Sequence, residues 1–214
     1  AAAALMDEIC RILQAHNPNL ADDAASIARA RDTIFQSEEL FSALLNEKES
    51  YFNETAHRIG VDRSALAFVA YCSLRPSLSF CADQLSGLRR DWEKGYCPIC
   101  GQLPSIAVLD ETGRRFLHCS FCWHKWSFPR TTCPFCETQA PNAHKYLYTE
   151  EEKELRAAVC DTCRRYIKTV DMRSLRRPIY PPLEQIASLH LDLLARRQGY
   201  ESGAALPLEE GGRP

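Results

Sequence analysis

Eleven cysteines stand among the 214 residues, and eight of them form four Cys-x-x-Cys pairs: Cys97 with Cys100, Cys119 with Cys122, Cys133 with Cys136, and Cys160 with Cys163. Two thiolates at that spacing can turn toward one ion, as in the knuckles of structural metal sites. A disulfide framework has no reason to repeat the spacing four times, and it reaches this cysteine density mainly in much shorter secreted chains. The chemistry on offer is therefore thiolate ligation of metal. Eighteen residues separate the first two knuckles and 23 the last two; the first value fits the ~15–20 typical of structural zinc sites, and the excess in the second falls in a charged stretch where length is tolerated. Consecutive pairing is expected, with Cys97, Cys100, Cys119 and Cys122 on one ion and Cys133, Cys136, Cys160 and Cys163 on the other. An interleaved, cross-braced pairing is the alternative. Four thiolates fill a tetrahedral shell and leave no position for water or substrate, which points away from hydrolytic metal catalysis. Iron and zinc both suit such a shell.

The elements between the knuckles read as strands. Ser105-Ile106-Ala107-Val108-Leu109 and Arg115-Phe116-Leu117 flank Asp110-Glu111-Thr112-Gly113, a hairpin signal. Knuckle, strand, turn, strand, knuckle is the order of a zinc ribbon. It recurs after Cys136, with a strand around His144 to Tyr148, a charged turn at Glu150-Glu151-Glu152 and a second strand from Leu155 into Cys160. Trp126-Ser127-Phe128 and Tyr166 to Val170 follow the last knuckle of each copy. An internal repeat of this kind is stronger than any one motif.

Ahead of the ribbons the period changes. Leu5, Ile9, Ile12 and Leu13 recur at helical spacing, as do Leu40, Leu44, Leu45, Tyr51 and Phe52. Ser37 with Glu38 and Glu39 reads as a helix start, Gly60 as a stop, and Asp62 as the cap of a helix through Phe68 to Arg75 that Pro76 ends. Residues 1–85 hold 7 Lys/Arg against 12 Asp/Glu, while residues 86–177 hold 16 against 11, so the halves read as separate units. The expected fold is α+β and multidomain: a helical bundle over residues 1–90, ribbon modules over 91–130 and 131–177, and a C-terminal helix and tail over 178–214. No apolar run approaches the ~20 residues of a membrane span, and no basic start or cleavage-type apolar segment marks a secretory signal. The chain lacks an initiator Met and reads as a fragment.

Trp92-Glu93-Lys94-Gly95-Tyr96-Cys97-Pro98-Ile99-Cys100-Gly101, the four knuckles in order, and Ile186 to Leu194 followed by Gly199-Tyr200 resemble the formate dehydrogenase accessory protein family, FdhE type, from about residue 75 to 205. The resemblance implies a helical domain followed by two rubredoxin-like modules that bind iron. It also implies a non-enzymatic role in the cytoplasm, acting on the catalytic subunit of respiratory formate dehydrogenases before twin-arginine export. The chain is shorter than the family leads one to expect, with the deficit at the N-terminus. It departs from the rubredoxin pattern too. Glycine usually follows the second cysteine of a knuckle, where a positive φ lets backbone N–H groups approach the sulfurs. Only Gly101 does so here; Trp123, Glu137 and Arg164 hold the other positions, which weakens an electron-transfer reading.

A zinc-ribbon nucleic-acid binder is the runner-up. The formal charge of +5 on residues 86–177 falls to about +1 once eight thiolates and two divalent ions are counted, less than phosphate neutralisation asks. Self-association into a homo-oligomer stays open as a further partnership, and no membrane partner is expected. His118 and His124 flank a knuckle whose ligand set four cysteines already complete. Cys10, Cys72 and Cys81 sit in helical patterns and are expected to pack in the core, as is His190 on the closing helix. Trp123 and Trp126 are expected to cover the first metal site. The pairs Arg89-Arg90, Arg114-Arg115, Arg164-Arg165 and Arg176-Arg177 are expected to be solvated.

Overall fold

A computed structural model describes residues 1–85, 92–175 and 177–204. They divide into two compact units, residues 1–81 and 82–204.

The first unit is helical: α1 (Ala2–His16), α2 (Ala21–Ala30), α3 (Ser37–Leu45), α4 (Glu49–Ile59) and most of α5 (Arg63–Leu85). Met6, Cys10, Ile27, Leu40, Phe52, Leu66 and Val69 form its buried interior. Several of the sequence signals act as expected. Asp62 caps α5 by accepting the N–H groups of Ser64 at 2.7 Å and Ala65 at 3.2 Å, and Gly60 ends α4 at φ 68°. Ser37 opens α3 as its first helical residue. The apolar residues from Leu40 to Phe52 divide between α3 and α4, because Glu47 takes φ 53° and turns the chain.

Pro76 does not end its helix. α5 continues nine residues further, since a proline removes one backbone donor and its ring crowds one carbonyl without preventing the residues beyond from staying helical. In this last stretch Ala82 is buried, 1% exposed, while Phe80, Cys81 and Leu85 are exposed. α5 is also long and apolar enough, by length and composition, to cross a bilayer, a test that the core helix of a soluble protein also passes. Among the other three cysteines, Cys10 is buried as expected, Cys72 is half-buried and Cys81 is exposed.

The second unit is built on one sheet. Its strands are β1 (Pro104–Leu109), β2 (Arg115–Cys119), β3 (Lys125–Ser127), β4 (His144–Leu147), β5 (Leu155–Cys160), β6 (Arg165–Asp171) and the two-residue β7 (Glu201–Ser202). Each ribbon is a three-stranded antiparallel meander, β1-β2-β3 and β4-β5-β6, and they join where β1 runs parallel to β6 from Ile106↔Lys168 to Leu109↔Asp171. β7 pairs with the other end of β6. β1 and β6 lie mid-sheet, which suits the unbroken apolar run Ile106 to Leu109.

The closing helix is two helices, α6 (Pro181–Ala187) and α7 (Leu189–Arg197), divided at Ser188. α7 packs Leu191 and Ala195 against Ile106, Val108, Val159, Tyr166 and Val170 on one face of the sheet. Lys168, 3% exposed in its side chain, reaches the same helices by donating to Asp192 Oδ2 at 2.7 Å and to the Gln185 carbonyl at 2.5 Å. Tyr166 donates to Asp192 Oδ1 at 2.8 Å. Leu183, Ile186, Leu189 and Leu193 point outward and are exposed, and His190 is half-exposed beside Glu152 at 3.2 Å and does not lie in the core.

Candidate metal centres

Each cluster is assembled from the two ends of its own hairpin. The Asp110 carboxylate accepts the N–H groups of Thr112 and Arg114, both at 2.9 Å, and Gly113 supplies φ 82°, so the turn folds β2 back along β1. Pro104 then pairs with Cys119 and Ile106 with His118, an irregular register beside the ligand of the kind that re-aims side chains. In the second ribbon His144 pairs with Cys160.

The knuckles share one backbone design. In three of the four, the N–H after the second cysteine bonds back to the first: Gly101 N to Cys97 O at 3.0 Å, Glu137 N to Cys133 O at 3.0 Å and Arg164 N to Cys160 O at 2.9 Å. Amide N–H groups also point at sulfur, from Ile99 to Cys97 at 3.4 Å, Phe121 to Cys119 at 3.3 Å and Phe135 to Cys133 at 3.4 Å. All four positions after a knuckle are left-handed: Gly101 at φ 78°, Trp123 at 60°, Glu137 at 55° and Arg164 at 57°. The missing glycines therefore leave the knuckle geometry intact, which corrects the inference drawn from their absence.

The eight predicted ligands meet in the consecutive grouping. The sulfurs of Cys97, Cys100, Cys119 and Cys122 lie within 4.8 Å of one another, as do those of Cys133, Cys136, Cys160 and Cys163. Closest separations are 3.4 Å for Cys100–Cys119, 3.6 Å for Cys97–Cys122, 3.8 Å for Cys133–Cys163 and 3.7 Å for Cys136–Cys160. A tetrahedron of sulfurs ~2.3 Å from a central ion has edges of ~3.8 Å, so the donor sets fit a metal in size as well as in chemistry. Thiols packed this closely also perturb one another. Hydrogen bonds from its three neighbours hold Cys100 well below the ordinary thiol range, while those same contacts and burial drive Cys119 far above it. Four thiolates at such distances need a cation between them. The first cluster is the more enclosed, with Cys97, Cys119 and Cys122 buried, whereas Cys136 and Cys163 lie nearer the surface.

Among the described residues neither cluster includes a histidine. Burial, with help from Lys125, pushes His118 down to about 4, and His124 stacks on Trp126 at 6.4 Å. Trp126 is buried and donates to the Lys94 carbonyl at 3.0 Å, and Trp123 packs against the sheet core.

The arginine pairs are not simply solvated, which sequence reasoning missed. Arg164 lies 4.0 Å over the Tyr200 ring and donates to the Gln198 carbonyl at 2.8 Å, and Arg177 holds the Glu184 carboxylate with both terminal nitrogens. Arg115 is buried. Arg89, Arg90 and Arg176 lie outside the described residues.

Fold and sites together define a class: a protein with two zinc-ribbon modules fused edge to edge, each enclosing a four-cysteine cluster that could hold a metal ion. A family model described as FdhE, central domain, matches residues 96–130, and one described as FdhE, C-terminal domain, matches residues 131–208. Together they take in more than half of the chain, which belongs to the FdhE family. A protein FdhE homolog of Aquifex aeolicus (strain VF5) is 35% identical over 145 residues, 66% of this chain and 51% of that protein. Protein FdhE of Escherichia coli O1:K1 / APEC is 30% identical over 118 residues, 54% of this chain and 38% of its own length. The matched region thus spans about half or less of these curated relatives. The crystal structure of the FdhE protein from Pseudomonas aeruginosa superposes with a TM-score of 0.72 at 24% identity, covering 100% of this chain and 72% of that one, so the two share a fold.

Proposed function

We propose that this protein is a cytoplasmic accessory factor for the catalytic subunit of a respiratory formate dehydrogenase. It binds that subunit before export and takes no catalytic part in the finished enzyme. The observation that carries the reading is membership of the FdhE family through the two cysteine-bearing ribbons. The sites support it, because four thiolates leave no open coordination position, and a closed centre suits a rigid recognition platform better than a hydrolytic one. Eight clustered thiols also call for a reducing compartment.

Cys97, Cys100, Cys119 and Cys122 hold one ion, and Cys133, Cys136, Cys160 and Cys163 the other. Iron is favoured by the family resemblance, with zinc as the alternative; a ferric tetrathiolate absorbs visible light and zinc does not. The immature catalytic subunit should co-purify with this protein from cytoplasm, and cells lacking it should lose formate dehydrogenase activity. Normal activity in such cells would sink the proposal.

A further inference from the structure

Arg115 opens β2 on the first ribbon and is only 6% exposed. Its Nη2 donates to the carbonyls of Pro129, at 2.5 Å, and Thr132, and the guanidinium lies 5.0 Å over the Phe128 ring. Among the described residues its Nε meets no acceptor and no carboxylate pairs with it. A guanidinium stays charged at neutral pH even when burial pushes its pKa down, here to about 10, and a buried charge is costly until an opposite charge offsets it.

The second ribbon offers a source of opposite charge. Arg115 donates to the carbonyl of Thr132, the residue immediately before Cys133. Arg115 also lines a cavity of about 20 Å³ together with Cys133, Cys160, Arg130, Lys145 and Arg165. Cations from both ribbons thus converge on one flank of the second cluster. Lys145 is also paired with Asp161 at 2.5 Å, and Glu93 lines a second hollow together with Arg115 and Arg130. Neither carboxylate forms an ion pair with Arg115 among the described residues. Four thiolates around a divalent ion would carry a net charge of −2, and around a ferric ion −1, so a loaded cluster would offer Arg115 an opposite charge.

We propose that Arg115 is the counter-ion of the second metal centre: a cation carried by the first ribbon that offsets the charge of Cys133, Cys136, Cys160 and Cys163. The second centre's hold on its metal then depends on the neighbouring ribbon. This rests on the clusters' holding metal. Removing groups that support metal ligands from outside typically lowers metal affinity about 10–100-fold, and that is the loss expected when the charge is removed.

Competition between the zinc-loaded full chain and a chromophoric chelator, with alkylation and mass spectrometry to locate the cysteines released, tests the assignment. Arg115→Met should weaken zinc retention about 10–100-fold and free Cys133, Cys136, Cys160 and Cys163 first, while the first cluster stays protected. Arg115→Lys, which keeps the charge but loses the planar fork, should retain most of the affinity. Equal losses in the two variants would overturn the proposal, since the hydrogen bonds to the carbonyls and not the charge would then matter. Unchanged retention, or equal weakening of both clusters, would overturn it as well. Should Arg115→Met not fold, Arg130→Glu reverses a charge at the exposed mouth of the same cavity. It should weaken the second centre selectively, and no effect there would equally overturn the proposal. Failure of the unsubstituted chain to hold zinc tightly would instead defeat the metal reading itself.

Discussion

At the scale of the residue, the ligands were legible because a knuckle is local: two cysteines three positions apart need only one turn of backbone to face the same ion. The turn itself was not legible. Left-handed backbone costs an L-residue roughly 1–2 kcal/mol, so the absence of glycine at Trp123, Glu137 and Arg164 argued against that conformation, yet all three adopt it. The hydrogen bonds from Glu137 N and Arg164 N to the first cysteine carbonyl of their knuckles hold those two there, and a metal bound by the sulfurs would add to that hold. Glu137→Gly should therefore relieve strain. The change removes only an exposed contact to Lys94 at 3.7 Å, worth little, and part of the gain is offset by the greater freedom of glycine in the unfolded chain, ~0.5–1 kcal/mol. A net gain of up to ~1 kcal/mol is expected. Gly101→Ala meets no atom within 4 Å of the new Cβ, so its cost is the backbone term alone, ~1–2 kcal/mol. Thermal unfolding of the metal-loaded variants should move in opposite directions, and a shared direction would show that φ at these positions does not limit stability.

At the scale of the element, antiparallel hairpins were legible because strand period, Asx turn and glycine lie within a few residues of one another. The seam between β1 and β6 was not, since it joins residues about 60 positions apart in parallel register and leaves no local pattern. The same tertiary contacts explain Lys168, a charged residue in the middle of a buried strand. It belongs there because α7 brings Asp192 to it, and burial lowers its pKa while that carboxylate pulls the other way. The closing helix read over Ile186 to Leu194 is helical but divided in two at Ser188, and only the Leu191 and Ala195 side of α7 meets the sheet. Asp192→Ala would strand the Lys168 ammonium, whose side chain is 3% exposed, and should cost about 3–5 kcal/mol. Pairing Lys168→Met with Asp192→Leu removes both charges and should recover most of that loss. A denaturant-unfolding cycle measures the coupling, and additive effects would mean that packing of α7, not the ion pair, fixes this helix.

At the scale of the whole molecule, the composition break that separates the acidic first half from the cysteine-bearing half corresponds to a difference in what stabilises each unit. Residues 1–81 bury an ordinary apolar interior of Met6, Ile27, Leu40, Phe52 and Leu66 and carry no cluster. The sheet unit buries a second interior around Ile106, Val159, Tyr166, Val170 and Leu191, and its hairpin ends converge at the knuckles. A structural zinc site contributes on the order of 10–16 kcal/mol, as much as the whole stability of a typical domain, ~5–15 kcal/mol. Loss of two such sites would therefore exceed the net stability of a typical domain. Chelation under reducing conditions should melt residues 92–175 and spare the helices of the first unit. Hydrogen exchange read by mass spectrometry gives each unit its own signal: amides of Ile106 to Leu109 and Arg165 to Asp171 should lose protection on chelation and regain it on reloading, while α1, α2 and α4 stay protected throughout. Retained protection along β1 and β6 would show that the fused sheet is held by its packing, with the metal confined to ordering the knuckles.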